Sequence, residues 1–140
     1  MTELSSDLVH ATCVAIGGRA VLLAGRSGSG KSDLALRLID RGAVLVSDDY
    51  SQVRRRDGRL HASPPPHIVG KIEVRGVGIV EMPHLPEVEV ALMIDLNVPV
   101  PRLPELQTRR LAGVDVPVAA VAPLEASAPI KVEMLLRAIA

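Results

Sequence analysis

The chain has 140 residues, 48% of them apolar, with sixteen basic side chains against sixteen acidic ones. That suits one compact domain, residues 1–140, with a real core rather than a disordered segment. Tyr50 is the only aromatic residue and the formal charge is zero, which argues against base stacking on single strands and against a positive field that would hold nucleic acid or a membrane. In chain order, the first seven residues lack the basic and apolar regions of a secretory signal. No apolar run is long enough to span a bilayer, so the expected location is cytoplasmic. Leu8 to Ile16 reads as one strand, and the lone Cys13 within it as a small core residue that cannot form an intrachain disulfide. Gly17-Gly18 then marks a hairpin turn into a second strand, Arg19 to Ala24.

Asp33 to Arg41 carries Leu34, Ala35, Leu38 and Ile39 at helical spacing, with Gly42 placed to end the helix. Ala43 to Val46 reads as a buried strand, so the unit is strand, Gly loop, helix, strand: a βαβ crossover. Asp57-Gly58 predicts a second hairpin, closed off by Pro64-Pro65-Pro66. Its cluster Arg54-Arg55-Arg56 reads as a solvated edge strand. Ile72 to Val80 is β-branched with a tight bend at Gly76 and Gly78; Val88 to Leu96 and Val114 to Val121 read as strands, and 97–105 as a loop. Ser127 and Pro129 open a last helix whose apolar stripe is Met134, Leu135, Ala138 and Ile139. His61, His67 and His84 have no metal-ligand spacing and read as surface residues.

Between the second strand and the first helix lies Gly25-Arg26-Ser27-Gly28-Ser29-Gly30-Lys31-Ser32. It fits the phosphate-loop pattern G-x-x-x-x-G-K-[S/T], and its place after a strand and before a helix is the one the motif requires. Glycines let backbone N–H groups close around phosphates, and the helix N-terminus adds positive dipole. Lys31 is expected to reach the outer phosphates of a nucleoside triphosphate and Ser32 to ligate Mg²⁺. An acidic partner is also needed. Asp48-Asp49 and Asp95 each follow an apolar strand, and spacing alone does not choose between them. Two adjacent carboxylates could divide the work, one at the metal and one accepting a proton, provided the strand ends there.

His10, Gly17-Gly18, Gly25 to Ser32, Arg41-Gly42, Leu45-Val46-Ser47-Asp48-Asp49 and Ile72-Glu73-Val74-Arg75-Gly76-Val77-Gly78-Ile79 resemble, in order and spacing, the HPr kinase/phosphorylase catalytic domain, and most of all its short alphaproteobacterial form. The resemblance is specific from His10 to Ile79 and weaker beyond. It implies an α/β phosphate-loop fold of the kind shared with phosphoenolpyruvate carboxykinases, a mixed sheet flanked by helices. It also implies an ATP- and Mg²⁺-dependent protein-serine kinase acting on HPr, the phosphocarrier of the sugar phosphotransferase system, with dephosphorylation by phosphorolysis as a second direction. By the same resemblance Lys31 binds phosphates, Ser32 and Glu73 bind the metal, Asp49 is the base, Asp48 assists, His10 is an active-site histidine, and Arg75 and Gly76 couple the two directions. A homo-oligomer is left open.

Three departures stand out. The longer members carry an N-terminal domain without counterpart in these 140 residues. Asp33 stands where Glu often follows the loop serine. The stretch Leu124 to Pro129 lacks the arginine that longer members place there, leaving Arg109 or Arg110 as substitutes. Two other functions compete: a small-molecule kinase, disfavoured because few residues remain for a lid, and a nucleotide-binding regulatory module without turnover.

Overall fold

The computed structural model describes residues 5–105 and 107–139. Among these, eleven strands and two helices follow one another as β1 (Ser6–Val9), β2 (Ala11–Ile16), β3 (Arg19–Ala24), α1 (Lys31–Asp40), β4 (Val44–Ser47), β5 (Ser51–Arg56), β6 (Arg59–Ser63), β7 (Lys71–Val74), β8 (Gly78–Glu81), β9 (Val88–Asp95), β10 (Gln107–Leu111), β11 (Val114–Ala120) and α2 (Ala128–Arg137). Nine strands form one mixed sheet and β7–β8 a separate hairpin. The fold class is α/β, as the sequence predicts. No helix among the described residues is long and apolar enough to cross a membrane.

β3, α1 and β4 form the predicted crossover, but the unit is split. β2 lies between β3 and β4 and pairs antiparallel with both. A register shift at Cys13/Val14 sets Ser47 opposite Cys13 and Leu45 opposite Val14, and such a bulge re-aims the end of the strand that carries it. The predicted single strand from Leu8 to Ile16 is also divided: β1 pairs with β5, and β2 with β3. A chain cannot serve two ladders without a break, and the break falls at His10.

β9 runs parallel to β3 along one edge. On its opposite edge it meets β6 near its start and β11 near its end. Alternating residues of the central strands feed two cores, because side chains of a strand point to opposite faces. Val14, Val21, Leu23, Leu45, Leu92 and Ile94 join Leu34, Leu38, Val132 and Leu136 of the helices and Ile72 of β7. Cys13, Ala15, Leu22, Val46 and Met93 join Val53, Leu60 and Ala62 of β5–β6 and Val116 of β11. Outer strands therefore curl round to cover the second face. Full burial of a Leu such as Leu23 contributes roughly 1.5–3 kcal/mol. Burial also pushes the Cys13 thiol far up, so Cys13 is an inert core residue.

Helix α1 starts two residues earlier than predicted, at Lys31 of the phosphate loop. It ends in a Schellman motif: Gly42, at φ 110°, donates to Ile39 O, and Ala43 donates to Leu38 O, both at 3.0 Å. Arg41 and Glu133 join α1 to α2 at 2.7 Å. Arg19 donates to the Ile139 and Leu136 carbonyls at 3.1 and 3.3 Å, capping the end of α2. The predicted stripe on α2 needs correcting. Val132 and Leu136 are buried and Leu135 and Ile139 half-buried, whereas Met134 is exposed. The helix is rotated because Ala128 and Pro129 also pack inward. Ser127 sits at the N-cap, but its hydroxyl makes no capping bond.

Arg54 to Arg56 do not lie on an edge strand. β5 runs between β1 and β6, and Arg56 meets Glu87 at 3.1 Å. His67 and His84 are exposed as predicted, while His61 is half-buried. β10 lies beyond the predicted elements. Its run Gln-Thr-Arg-Arg-Leu has no buried face, so periodicity cannot reveal it; only pairing with β11 makes it a strand.

Candidate functional site

The phosphate loop crosses from the end of β3 to the start of α1. Gly28 and Gly30 have φ of 81° and 101°, a backbone that L side chains rarely adopt. Gly30 caps α1 without a side-chain bond, leaving first-turn amides for a ligand. Ser29 donates its backbone N–H to Arg26 O at 3.0 Å, and its buried hydroxyl has no protein partner. No heavy atom lies within 4 Å of where a Cβ on Gly28 would sit, so the loop mouth is open. Lys31 is 4% exposed; its Nζ donates to Arg26 O at 3.1 Å and lies 3.5 Å from Asp49 Oδ1. This buried ammonium is aimed at the loop.

β4 ends at Ser47, which lets both aspartates act. Asp48 and Tyr50 close a tight turn through Tyr50 N–H to Asp48 O at 2.7 Å, with Asp49 at φ 65°. Asp tolerates this left-handed region better than most residues, and the turn sends the two carboxylates to different places. Asp48 is buried. Its Oδ1 accepts from Ser32 Oγ at 2.6 Å and Thr12 Oγ1 at 3.1 Å, and its Oδ2 accepts from Glu73 N–H at 2.9 Å. Thr12 Oγ1 in turn accepts Asp49 N–H at 2.9 Å. One carboxylate thus ties β2, α1, β4 and β7 together.

Asp49 faces outward, its side chain 52% exposed, with His10 Nε2 donating to its Oδ1 at 3.0 Å. A carboxylate only accepts, so the bond selects the Nε2–H tautomer. The His10 ring stacks on Tyr50, centroids 4.6 Å apart and planes 13° from parallel. Lys31, Asp49 and His10 therefore form one hydrogen-bonding row beside the phosphate loop. Glu73 contributes its backbone to Asp48, and its own side chain is exposed. Arg75 and Gly76 lie in the exposed turn between β7 and β8.

Asp95 has a different place. Its Oδ1 accepts Asn97 N–H at 2.9 Å, and its Oδ2 accepts from Arg109 at 2.9 Å. Asn97 Oδ1 then accepts Arg26 N–H at 3.2 Å. Asp95 thus caps its strand and braces the first turn of the loop. Sequence reasoning passed over Thr12, Tyr50 and Asn97. Thr12 had a readable signal: a lone hydroxyl in an apolar strand needs a buried partner.

A family model described as HPr Serine kinase C-terminal domain matches residues 2–100. The chain belongs to this family. Among curated relatives of this HPr kinase C-terminal domain, the HPr kinase/phosphorylase of Clostridium botulinum (strain Eklund 17B / Type B) is 43% identical over 77 residues, 55% of this chain and 25% of that protein. That of Geobacillus thermodenitrificans is 40% identical over 98 residues, 64% of this chain and 32% of the other. The chain thus spans about a quarter to a third of the curated relatives it matches. A solved structure, the Hpr(Ser) kinase/phosphatase from Coxiella burnetii, superposes with a TM-score of 0.82 at 30% identity, covering 94% of this chain and 95% of that one. In this chain the arginine-free stretch after β11 starts beside the loop: Leu124 Cδ2 lies 3.7 Å, and the preceding Pro123 3.3 Å, from where a Cβ on Gly30 would sit. Arg37 of α1 donates to the Pro123 and Glu125 carbonyls, holding that stretch in place.

Proposed function

We propose that this chain transfers the terminal phosphate of ATP to a serine hydroxyl of HPr, and that it also dephosphorylates the phosphoserine by phosphorolysis, joining its phosphoryl group to inorganic phosphate to give pyrophosphate and the free serine. The observation that carries this reading is the 3.5 Å approach of Lys31 Nζ to Asp49 Oδ1. Such a pairing of ammonium and carboxylate is what a phosphate-binding cation and a proton acceptor acting together would need. Phosphoryl transfer asks mainly for positioning and charge neutralisation.

The loop fits a polyphosphate, with its open mouth at Gly28, its orphan Ser29 hydroxyl and uncapped helix start. Among the described residues no three His, Cys, Asp or Glu side chains group into a metal cage. Mg²⁺ needs none, because it is commonly held by one or two carboxylates together with substrate phosphates. Ser32 and Glu73 would be its protein ligands, beside Asp48. When bound, it would supply neutralisation of phosphate charge. Lys31 would hold the outer phosphates. Asp49 would accept the serine proton as the new O–P bond forms and the bond to the ADP oxygen breaks. His10 would hold Asp49 in orientation. Arg75 and Gly76 would act on the balance of the two directions.

The test is incubation with labelled ATP, Mg²⁺ and HPr of the same source. The expected result is serine labelling that is lost in Lys31→Ala. Nucleotide binding with no transfer to HPr would replace the kinase by a regulatory module, for which the arginine-free stretch 124–129 speaks. Labelling of a metabolite would assign a small-molecule kinase.

Gly25→Ala is a sharper probe of the loop. A Cβ there would collide with Ser29 Oγ and lie 3.3 Å from Leu96 Cβ. Overpacking of this kind costs about 1–3 kcal/mol, so ATP affinity is expected to fall about tenfold or more. Calorimetric titration with a non-hydrolysable ATP analogue checks it; an unchanged Kd would show that the loop backbone is not the phosphate cradle.

A further inference from the structure

β1 and β10 end the two branches of the sheet that leave one edge of β9, one through β6 and β5 and the other through β11, while β4 ends the opposite side among the described residues. They face each other across a cleft of about 480 Å³. Leu8 and Val9 line it from β1, Arg109 and Leu111 from β10 and Met93 from β9, together with His10, Gly25 and Arg26. One of its lining residues, His10, is bonded to Asp49, so the cleft adjoins the His10–Asp49 pair.

Its charge is one-sided. Arg26 and Arg109 line it against a single carboxylate, Asp7, whose Oδ1 is already bonded to Leu8 N–H at 2.8 Å. Arg109 is held at the wall by the buried Asp95, through Nη2 at 2.9 Å, with Nη1 3.6 Å from Met93 Sδ. A guanidinium has five donors in a rigid fork. Fixing one edge of it on Asp95 leaves the rest pre-aimed, so little entropy is lost on gripping an anion. The same Asp95 reaches the loop through Asn97 and Arg26 N–H, so the wall and the loop are set by one network.

We propose that this cleft receives the acceptor protein through a segment that carries a carboxylate close to the target serine, and that Arg109 binds that carboxylate. The inference rests on the kinase reading above and adds where, and by what charge, the acceptor is chosen. Val9, Met93 and Leu111 would hold apolar side chains of the segment while its serine meets Asp49. The nucleotide stays on the other side of Lys31.

Steady-state kinetics with HPr varied at saturating ATP test it. Arg109→Gln should raise KM for HPr about tenfold, the size of one charge-assisted contact, and leave the Kd of an ATP analogue unchanged; a fall in kcat at unchanged KM would instead make Arg109 the stand-in for the absent arginine and overturn the cleft. Leu8 lies on the opposite wall, 54% exposed and outside the transfer machinery, so it can be changed without emptying a core. Leu8→Glu should raise KM about threefold, Leu8→Lys should lower it about threefold, and both effects should shrink with salt. A merely structural role would not give opposite signs at one position. Unchanged KM in Arg109→Gln, same-sign effects at Leu8, or a weakened nucleotide Kd in Arg109→Gln would overturn the cleft while leaving the kinase standing. No transfer by the unaltered chain would overturn both.

Discussion

Asp49→Asn is expected to slow serine phosphorylation by roughly 10²–10⁴-fold, the usual worth of a positioned general base, while ATP analogues still bind. The substitution is chosen for the backbone. Asp49 sits at φ 65°, where Asn is as comfortable as Asp and Ala is not. The turn keeps its bonds, because Asp49 N–H to Thr12 Oγ1 and Tyr50 N–H to Asp48 O involve no atom that is changed. What is lost is the base that takes the serine proton; the amide oxygen of Asn can still accept from His10 Nε2–H. A single-turnover assay at saturating ATP, with a thermal melt to confirm the fold, reads the effect directly. A rate within a factor of ten of the original would remove Asp49 from the chemistry and leave His10 as the group to examine.

Asp48→Ala should act on stability before activity. The buried carboxylate accepts from Ser32, Thr12 and Glu73, and removing it strands three donors contributed by α1, β2 and β7. An unsatisfied buried donor costs about 1–3 kcal/mol. Ser32 is half-buried and its hydroxyl can turn toward water, so a total of about 3 kcal/mol is expected, with a fall in Tm of roughly 10 °C. Urea unfolding with an unchanged m-value checks it. A loss under about 0.5 kcal/mol would mean that the network is not part of the folded-state balance. Asp48→Asn should fall between. It keeps one acceptor oxygen for the two hydroxyls, but turns an amide N–H₂ toward Glu73 N–H.

Much of this arrangement is visible in the residues themselves. The octapeptide 25–32, the strand before it and the helix after it share a local cause, the switch from period 2 to period 3.6 around a run of glycines. Gly17-Gly18 and Asp57-Gly58 announce their hairpins for the same reason: positive φ is a property of the residue, and Gly17, Gly18, Asp57 and Gly58 all have it. What stays hidden depends on neighbours far along the chain. β10 is recognisable only beside β11, and the break at His10 only because β5 and β3 claim the two halves. The insertion of β2 between β3 and β4 leaves no mark on any of the three strands. In the site, the closeness of His10 to Asp49 spans thirty-nine positions and came from family resemblance rather than pattern. Thr12, a lone hydroxyl in an apolar strand, announces that it needs a buried partner, but only the fold identifies that partner as Asp48. Asp95 looked like a strand cap and is one, yet its second oxygen holds a guanidinium that no spacing rule would find.

Tyr50 gives the protein a built-in optical reporter. With no tryptophan and no phenylalanine in the chain, its phenol alone emits on near-ultraviolet excitation, and it lies against the His10 imidazole. Any occupant that turns, protonates or displaces that imidazole must alter the light from this one fluorophore. Arrival of nucleotide or acceptor could therefore be timed in a stopped-flow instrument without attaching a dye.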